Sequence, residues 1–473
     1  MGVLAGTNLD SVTSVDRQNS GSVPDGATAS GGAGAAGPPG PPGTGIPTGG
    51  AAFQRLAKNT GKAYDTGWYT EPFFFASDYG FSTSGTASAN TTALQAALTA
   101  AGAAGGGIVL MGAGTYSINH GLTLPQVNGS IVLRGSGNRA TWLSVADSGT
   151  LFSGGYASQK GVLLEDFGCI YVSQQTTSSF LSYTAGWGLA LNRLLVFNCG
   201  HFLTLGTDQV GAAFNYLWVT GCNVQGSGGI LFNLIGSMGA LWLRGNYAQS
   251  AQSGSKILTH TGTHTPVITS LFMSESDFEQ FYYGILFEYS ADGGITDSFF
   301  SNLIIGNGIT QSHGISFKTA LAPAFRVGNV VLENVQVNVS GTNFHAINFD
   351  SDYYGSAFGV GAMECRGCVN VGASGGGDGI HVGAATEILV SACQVNSSTI
   401  GIHAASSAGF VNVLNNRVGL ITGCTTGIQT DSGAAGGMIT GNDLRGNSTK
   451  LTNNWGANSA GVRYVANNFG VDV

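Results

Sequence analysis

A short unit of the form Gly-Ile-x-Phe, or a close variant of it, recurs through the second half of the chain. Its isoleucines are Ile230, Ile285, Ile315, Ile347, Ile380, Ile402 and Ile428. They stand 22 to 33 residues apart, except for one interval of 55 residues that we interpret as two repeats. A second set of apolar segments alternates with this unit: Leu271–Glu279, Ile295–Ile304, Val330–Val339, Ile388–Val395, Val411–Val418 and Met438–Leu444. Several short strands within such a period indicate a solenoid, and we expect the stacked coils of a parallel β-helix around one buried apolar column.

A helical pattern precedes the repeats. Between Thr91 and Ala101, apolar side chains such as Leu94 and Leu98 fall on one face. Glycines at 102 and at 105 to 107 then end the helix, and Ile108–Leu110 reads as a buried strand. Residues 51 to 58 allow a further short helix, and the aromatic stretch 68 to 75 suggests a neck. We therefore expect one short helix that caps the first coil of an all-β chain.

Gly-X-Y triplets lie near the start of the chain. Glycine stands at every third position from Gly31 to Gly43, with prolines between the last of these glycines. Only glycine fits the crowded axis of a triple helix, so this segment predicts a stiff three-chain stalk, with a flexible linker as the alternative. We expect an anchoring arm at 1–30, the stalk or linker at 31–50, a neck and capping helix at 51–104, and the β-helix at 105–473.

Composition narrows the classes of partner. Only 9% of the residues are charged and 77 are glycine, which disfavours helices. A net charge of −8 without a Lys/Arg cluster argues against a nucleic-acid partner. No apolar run has transmembrane length and no signal-peptide pattern is present, so we expect neither membrane insertion nor a secretion leader. The seven cysteines include one Cys365-x-x-Cys368 pair, which is weak evidence for zinc. We expect no metal ion and no cofactor.

The opening of the repeat region resembles that of pectate-lyase-like parallel β-helix proteins. The resemblance rests on the Asp-Tyr-Gly turn at 78–80, Ala-Leu-Gln-Ala at 93–96, the glycine run at 105–107 and Gly-Ala-Gly-Thr-Tyr at 112–116. An anchor and a collagen-like stalk ahead of such a domain further resemble bacteriophage tailspikes and tail fibres. The resemblance covers about residues 70 to 470. It implies a right-handed parallel β-helix, a homotrimer, attachment to a virion tail or capsid protein through the N-terminal arm, and binding of host surface polysaccharide.

Two departures from the family matter. The acidic stretch that usually precedes the capping helix is replaced by small and hydroxyl residues at 82–90, which puts a metal role of that stretch in doubt. The motif sets of polygalacturonases and of calcium pectate lyases are also missing, which argues against a plant-wall pectinase. The fold alone does not carry function.

The best candidate for chemistry is the acidic segment Glu275-Ser-Asp277-Phe-Glu279. Alternate residues of a strand share a face, so the three carboxylates are expected to point to solvent and Phe278 to the core. Neighbours at i and i+2 lie about 7 Å apart, which suits the paired acids of glycoside hydrolysis. We predict that these three acids are catalytic, with a merely solvated strand face as the alternative.

Aromatic residues supply the candidate sugar contacts. Tyr282 and Tyr283 follow the acids directly, and Trp218 and Trp242 stand about one coil apart. If the leucine and valine neighbours of the two tryptophans face inward, the indoles form a carbohydrate platform or a subunit interface; a stack inside the core is the alternative. A second acidic and aromatic cluster consists of Asp350, Asp352, Tyr353 and Tyr354.

Two histidines share one position of the repeat. His381 and His403 each follow a Gly-Ile pair, and we expect them to stack on adjacent coils with their hydrogen bonds satisfied and no metal role.

Three functional hypotheses follow. The leading one is a phage tailspike or tail-fibre protein, located in the virion and working outside the cell, that recognises host polysaccharide and depolymerises it by hydrolysis or elimination, or only binds it. The alternatives are a non-catalytic virion fibre or decoration protein, and a bacterial secreted polysaccharide-degrading enzyme.

Overall fold

The computed structural model describes residues 54–58, 66–70, 73–155, 160–209, 213–250, 252–264, 266–287, 293–317, 325–349, 363–383, 387–406, 408–455 and 463–470. The chain divides into two compact units, Met1–Tyr69 and Thr70–Val473. A two-stranded sheet pairs Gln54–Lys58 with Thr66–Thr70. The short helix expected at 51–58 is therefore wrong over the described part, which is a strand. The expected arm and collagen-like stalk lie outside the described residues.

The capping helix is confirmed and is longer than expected. After a short helical turn at Ala76–Tyr79, helix α1 spans Ala87–Ala103. The helix begins earlier than the apolar pattern because the Thr86 side chain accepts a hydrogen bond from the Ala89 backbone at 3.3 Å and so caps it. Its inward face is fully buried at Leu94, Ala97, Leu98 and Ala101.

The remainder is a parallel β-helix, as expected. Its coils place successive strands in three sheets, and every strand pair with a described register in these sheets is parallel. Sheet 1 contains fifteen described strands: Phe73–Phe75, Gly107–Leu110, Ile131–Arg134, Lys160–Glu165, Gly186–Asn192, Ala213–Thr220, Ser237–Arg244, Val267–Ser274, Gly293–Ser301, Phe325–Glu333, Met363–Arg366, Glu387–Ser391, Phe410–Leu414, Gly436–Thr440 and Arg463–Ala466.

The chain passes from sheet 1 to sheet 2 and then to sheet 3 in each coil. Sheet 2 contains twelve described strands: Gly114–Ile118, Thr141–Val145, Gly168–Tyr171, Leu195–Phe197, Asn223–Gln225, Tyr247–Gln249, Asp277–Glu279, Ile304–Ile309, Gln336–Val339, Val369–Ala373, Gln394–Asn396 and Arg417–Val418. Sheet 3 contains thirteen: Leu122–Thr123, Phe152–Gly154, Ser179–Tyr183, His201–Gly206, Ile230–Ile235, Lys256–Thr261, Tyr283–Phe287, Ile315–Ser316, Ile347–Phe349, Asp378–Val382, Ile400–Ala404, Thr426–Thr430 and Thr449–Asn453.

The repeated isoleucines form a buried column of sheet 3. Six of the seven are in register, from Ile285 to Ile428. The interval of 55 residues does contain two coils, but the alignment at its start was wrong by two residues, because Phe232 and Leu258 precede Ile285 in the column. Each side chain of this size stabilises the fold by about 1.5–3 kcal/mol when fully buried.

A tight corner joins sheet 1 to sheet 2. In the twelve coils from Asp166 onward, one residue adopts a left-handed conformation there: Asp166, Arg193, Gly221, Gly245, Glu275, Asn302, Asn334, Gly367, Ala392, Asn415, Gly441 and Asn467. Asparagine and glycine tolerate this conformation better than other residues. The residue after the corner points inward, and in the last coils it is asparagine: the Asn416 and Asn442 backbone amides donate to the Oδ1 atoms of Asn442 and Asn468 at 2.9 and 3.0 Å. The apolar segments that alternate with the Gly-Ile-x-Phe unit cross this corner, so each of them contributes to both sheet 1 and sheet 2.

No helix in the described part of the chain is long and apolar enough to cross a membrane.

Candidate functional site

The corner changes the predicted geometry of the acidic segment. The strand Val267–Ser274 ends before Glu275, which has a φ of 52°, and the next strand, Asp277–Glu279, belongs to sheet 2. The expectation that all three carboxylates share one strand face is wrong for Glu275, because this residue occupies the left-handed corner between the two sheets. It holds for Asp277 and Glu279, which flank the fully buried Phe278.

Glu275 is held by an arginine from the preceding coil. The Arg244 Nε and Nη2 atoms donate to the two carboxylate oxygens of Glu275, each at 3.0 Å. Such two-point pairing fixes the orientation of both groups. Both side chains are more than half exposed, so their contribution to folding stability is small. Glu275 therefore forms a charged corner beside the other two acids, and its catalytic role stays a prediction.

The outer face of sheet 2 carries a group of amide and carboxylate side chains. Three successive strands place two outward residues each in register, and we call these six residues the amide–carboxylate patch: Asn223, Gln225, Tyr247, Gln249, Asp277 and Glu279. All six are half-buried, with the intervening Val224, Ala248 and Phe278 in the core. The patch thus presents planar polar groups and one aromatic ring on a rigid surface.

Asp277 is the electrostatically unusual member of the patch. Its Oδ1 atom is buried, and among the described residues it has no hydrogen-bond partner. Burial, and then the neighbouring Glu279 carboxylate, raise the pKa of Asp277 above its usual value. Tyr247 donates a hydrogen bond from its hydroxyl to Glu279 Oε2 at 3.4 Å, and burial together with Glu279 raises the pKa of this tyrosine. Two neighbouring carboxyl groups in unlike environments have different pKa values, so one of them can act as an acid and the other as a base.

The predicted tyrosine contacts lie around the next corner. Tyr282 precedes sheet 3 and Tyr283 begins one of its strands, and both are half-buried. The Lys256 ammonium of the preceding coil stands 4.9 Å from the centre of the Tyr283 ring, a cation–π contact. Their role in sugar binding stays a prediction. Asp350, Asp352, Tyr353 and Tyr354 lie outside the described residues.

The tryptophans face outward from sheet 1. The rings of Trp218 and Trp242 stack at 5.1 Å between centroids and 5° between planes, and Phe272 continues the stack at 5.9 Å from Trp242. The neighbouring Leu217, Val219, Leu241 and Leu243 are fully buried. The interpretation as a core stack is therefore wrong, because the leucine and valine neighbours occupy the inward positions of the strands.

The stack belongs to a longer row of outward side chains. One register position runs the length of sheet 1, and we call it the apolar stripe: Phe73, Ile108, Val132, Leu163, Ala190, Trp218, Trp242, Phe272, Phe299, Val331, Glu364, Leu389, Asn412, Met438 and Tyr464. Ion pairs lie along its corner side: Arg134 with Glu165, Arg244 with Glu275, and Arg366 with Glu333. An apolar strip with a charged edge has the composition of a protein interface.

The two repeat histidines gather further groups around them. His381 and His403 are in register, as expected, and both donate from Nδ1 to Oδ2 of Asp378, at 2.7 and 2.8 Å. The rings of His345 and His381 stack at 4.2 Å. Burial opposes ionisation of Asp378, but these hydrogen bonds hold its pKa well below the usual range. Neither Asp378 nor His345 belongs to the Gly-Ile-His unit, so the repeat pattern does not mark these two residues.

The Cys365-x-x-Cys368 pair lies in the core. The Cys365 Sγ atom is 3.5 Å from that of Cys368 and 3.8 Å from that of Cys393 on the next coil, and all three side chains are buried. Cys199 and Cys222 are buried as well.

Comparison of the sequence with protein-family models and with curated proteins finds no match. Solved structures that resemble the fold include tailspike protein 3 of bacteriophage CBA120, at 12% identity and a TM-score of 0.49, over 89% of this chain and 66% of that one. An α-1,3-glucanase catalytic unit from Streptomyces thermodiastaticus matches at 14% identity and a TM-score of 0.44, over 84% of this chain and 69% of that one. The A-module of the Azotobacter vinelandii mannuronan C-5 epimerase AlgE6 matches at 12% identity and a TM-score of 0.36, over 84% of this chain and 98% of that one. Likenesses at this level carry no argument about activity.

Proposed function

We propose that the chain is a virion receptor-binding protein that recognises a host surface polysaccharide through the amide–carboxylate patch. The observation that carries the proposal is the in-register placement of six outward amide, carboxylate and tyrosine side chains on three adjacent strands. Planar amides and carboxylates exchange paired hydrogen bonds with neighbouring sugar hydroxyls, and an aromatic ring covers an apolar sugar face. The half-buried Asp277 and Glu279 supply the carboxylate oxygens of the patch that can accept hydrogen bonds from sugar hydroxyls.

The same pair of acids suits glycoside hydrolysis. Asp277, whose pKa is raised by burial and by Glu279, acts as the general acid that protonates the leaving oxygen. Glu279 acts as the base that takes a proton from the attacking water. The Cα atoms of residues two apart along a strand are separated by about 7 Å, a spacing from which side chains on one face can bring their carboxyl groups to the roughly 6.5–9.5 Å used by inverting enzymes. Cleavage would therefore invert the anomeric configuration, which proton NMR of fresh products can read.

We also propose that the chain is a homotrimer whose subunits cover the apolar stripe. Fifteen strands at about 4.8 Å each make the stripe about 70 Å long. With a width of about 10 Å it offers roughly 700 Å², close to the ~800 Å² that each partner buries in a stable interface. The Gly-X-Y triplets from Gly31 to Gly43 support three chains, because that repeat serves a triple helix.

The test uses the full chain and a panel of purified capsular and O-antigen polysaccharides with neutral and uronate-containing repeats. We expect saturable binding to one member, with at least tenfold weaker binding for Asp277→Asn and Tyr247→Ala. Glu387→Gln removes an exposed acid of sheet 1 and is the matched control, with affinity unchanged. Chromatographic sizing of the products separates cleavage from binding alone. Equal weakening by all three variants, or binding to no polysaccharide in the panel, would contradict the proposal and favour a purely structural fibre.

A further inference from the structure

A cluster of imidazole and carboxylate groups lies on sheet 3, away from the amide–carboxylate patch. We call it the histidine cluster: His345, Asp378, His381 and His403. Three consecutive coils contribute to it, since Ile347, Ile380 and Ile402 mark the same register position of their strands. The side chains of the cluster are 7% to 20% exposed, so water competes little for their donor atoms.

The distances within the cluster are those of ligands around one ion. Oδ2 of Asp378 lies 2.7 Å from His381 Nδ1, 2.8 Å from His403 Nδ1 and 3.4 Å from His345 Nδ1. Ligand atoms of His345, Asp378 and His381 also lie within 4.8 Å of one another, a set that does not include His403. Two ligands with bonds of about 2.1 Å are separated by about 3.0 Å at an octahedral angle and about 3.4 Å at a tetrahedral angle. The distances from Asp378 Oδ2 to the Nδ1 atoms of His381 and His403 lie just below these separations, so an ion requires the two rings to move slightly away from Oδ2.

We propose that the histidine cluster binds a divalent first-row transition ion, with Zn²⁺ as the first candidate. Asp378 Oδ2 and the Nδ1 atoms of His381 and His403 are its ligands. Imidazole nitrogen with one carboxylate oxygen is a donor set that suits zinc, nickel and copper rather than calcium or magnesium. A bound ion links two adjacent coils through these three side chains and stabilises this part of the solenoid. The proposal is independent of polysaccharide binding.

The groups around the cluster support this assignment. Oδ2 of Asp431 lies 3.3 Å from His403 Nε2, so the carboxylate can accept a hydrogen bond from that nitrogen while Nδ1 faces the ion. Metal-bound histidines commonly donate their second nitrogen to such a carboxylate, which fixes the ring and its tautomer. Entry of the ion moves the Nδ1 protons of His381 and His403 to their Nε2 atoms or to solvent.

His345 occupies an outer place in the cluster. Its Nδ1 atom already accepts a hydrogen bond from the Asp378 backbone amide at 2.9 Å. Its ring stacks on His381 at 4.2 Å between centroids. Direct ligation by Nδ1 would break the backbone hydrogen bond, so His345 orients His381 rather than binding the ion.

The experiment uses the full chain, produced without a polyhistidine tag and stripped with EDTA. Calorimetric titration with Zn²⁺ should show one ion per chain, and Co²⁺ should give visible absorption bands that added Zn²⁺ removes. We expect Asp378→Asn and His381→Gln to abolish saturable binding, and Asp431→Asn to weaken it by about tenfold. His264→Gln, which alters the exposed pair of His264 with Asp208, is the matched control and should bind as the parent chain does.

Two results would overturn the proposal. One is a parent chain that binds neither Zn²⁺ nor Co²⁺ stoichiometrically, which would leave the cluster as a hydrogen-bonded network only. The other is unchanged affinity in Asp378→Asn and His381→Gln. Asp431→Asn keeps all three ligands, so its Zn²⁺ affinity can be measured even if the ligand variants fail to fold. An affinity equal to that of the parent chain would also contradict the proposal.

Discussion

Replacement of Trp218 by alanine tests the assignment of the apolar stripe to the trimer interface. The residue is 41% exposed in the single chain, which for a side chain of up to about 250 Å² leaves about 100 Å² for a neighbour to cover. At about 25 cal/mol per Å², full coverage contributes about 2.5 kcal/mol per subunit and about 7.5 kcal/mol per trimer. At about 1.4 kcal/mol per decade, the trimer dissociation constant rises by about five orders of magnitude.

Sedimentation equilibrium over a range of concentrations measures this effect. The midpoint concentration of a monomer–trimer equilibrium varies as the square root of the dissociation constant, so we expect a shift of a few hundredfold for Trp218→Ala. Trp142→Ala is the control, because Trp142 lies on the outer face of sheet 2 beside Phe197, outside the stripe. A parent chain that stays monomeric would contradict the assignment of the apolar stripe to a trimer interface. So would an equal shift in the two variants.

Two further predictions concern folding stability. Asn442→Ala leaves the Asn416 amide and the Val413 carbonyl without their buried partner. We expect the free energy of unfolding, measured with denaturant, to fall by about 3 kcal/mol, and a fall below about 1 kcal/mol would contradict a stabilising role of these asparagine hydrogen bonds. Burial and Glu279 raise the pKa of Asp277, so the native chain binds more protons and this group's contribution to stability falls as pH rises above about 3.8. Asp277→Asn should flatten the decline of stability with pH, and an unchanged slope would contradict the shift.

The hydrophobic pattern was sufficient to predict the solenoid. A column such as Ile347, Ile380 and Ile402 repeats because each coil must bury the same position, and variable loop lengths do not disturb it. The alignment failed at Ile230, where Phe232 fills the column instead. A large apolar residue two positions later satisfies the same burial, so residue type alone could not fix the register.

The site was less predictable, because its geometry depends on the corners. Glu275 reads as part of a strand in the sequence, yet it occupies a left-handed corner where other coils have Asn302 or Gly245. Asp, Arg, Ala and Glu also occupy that corner position, so no residue type marks it in a single sequence. The grouping of His345 with Asp378 was equally hidden, because the two residues lie 33 positions apart and meet only through the stacking of coils.

A crystal structure with a bound oligosaccharide would show whether the amide–carboxylate patch is the polysaccharide-binding site. The ligand would be prepared from whichever polysaccharide of the panel the chain binds. We expect a sugar hydroxyl within about 3 Å of a carboxylate oxygen of Asp277 or Glu279, with the glycan lying across Asn223 and Tyr247. An oligosaccharide bound along Trp218 and Trp242, or anywhere away from sheet 2, would contradict it.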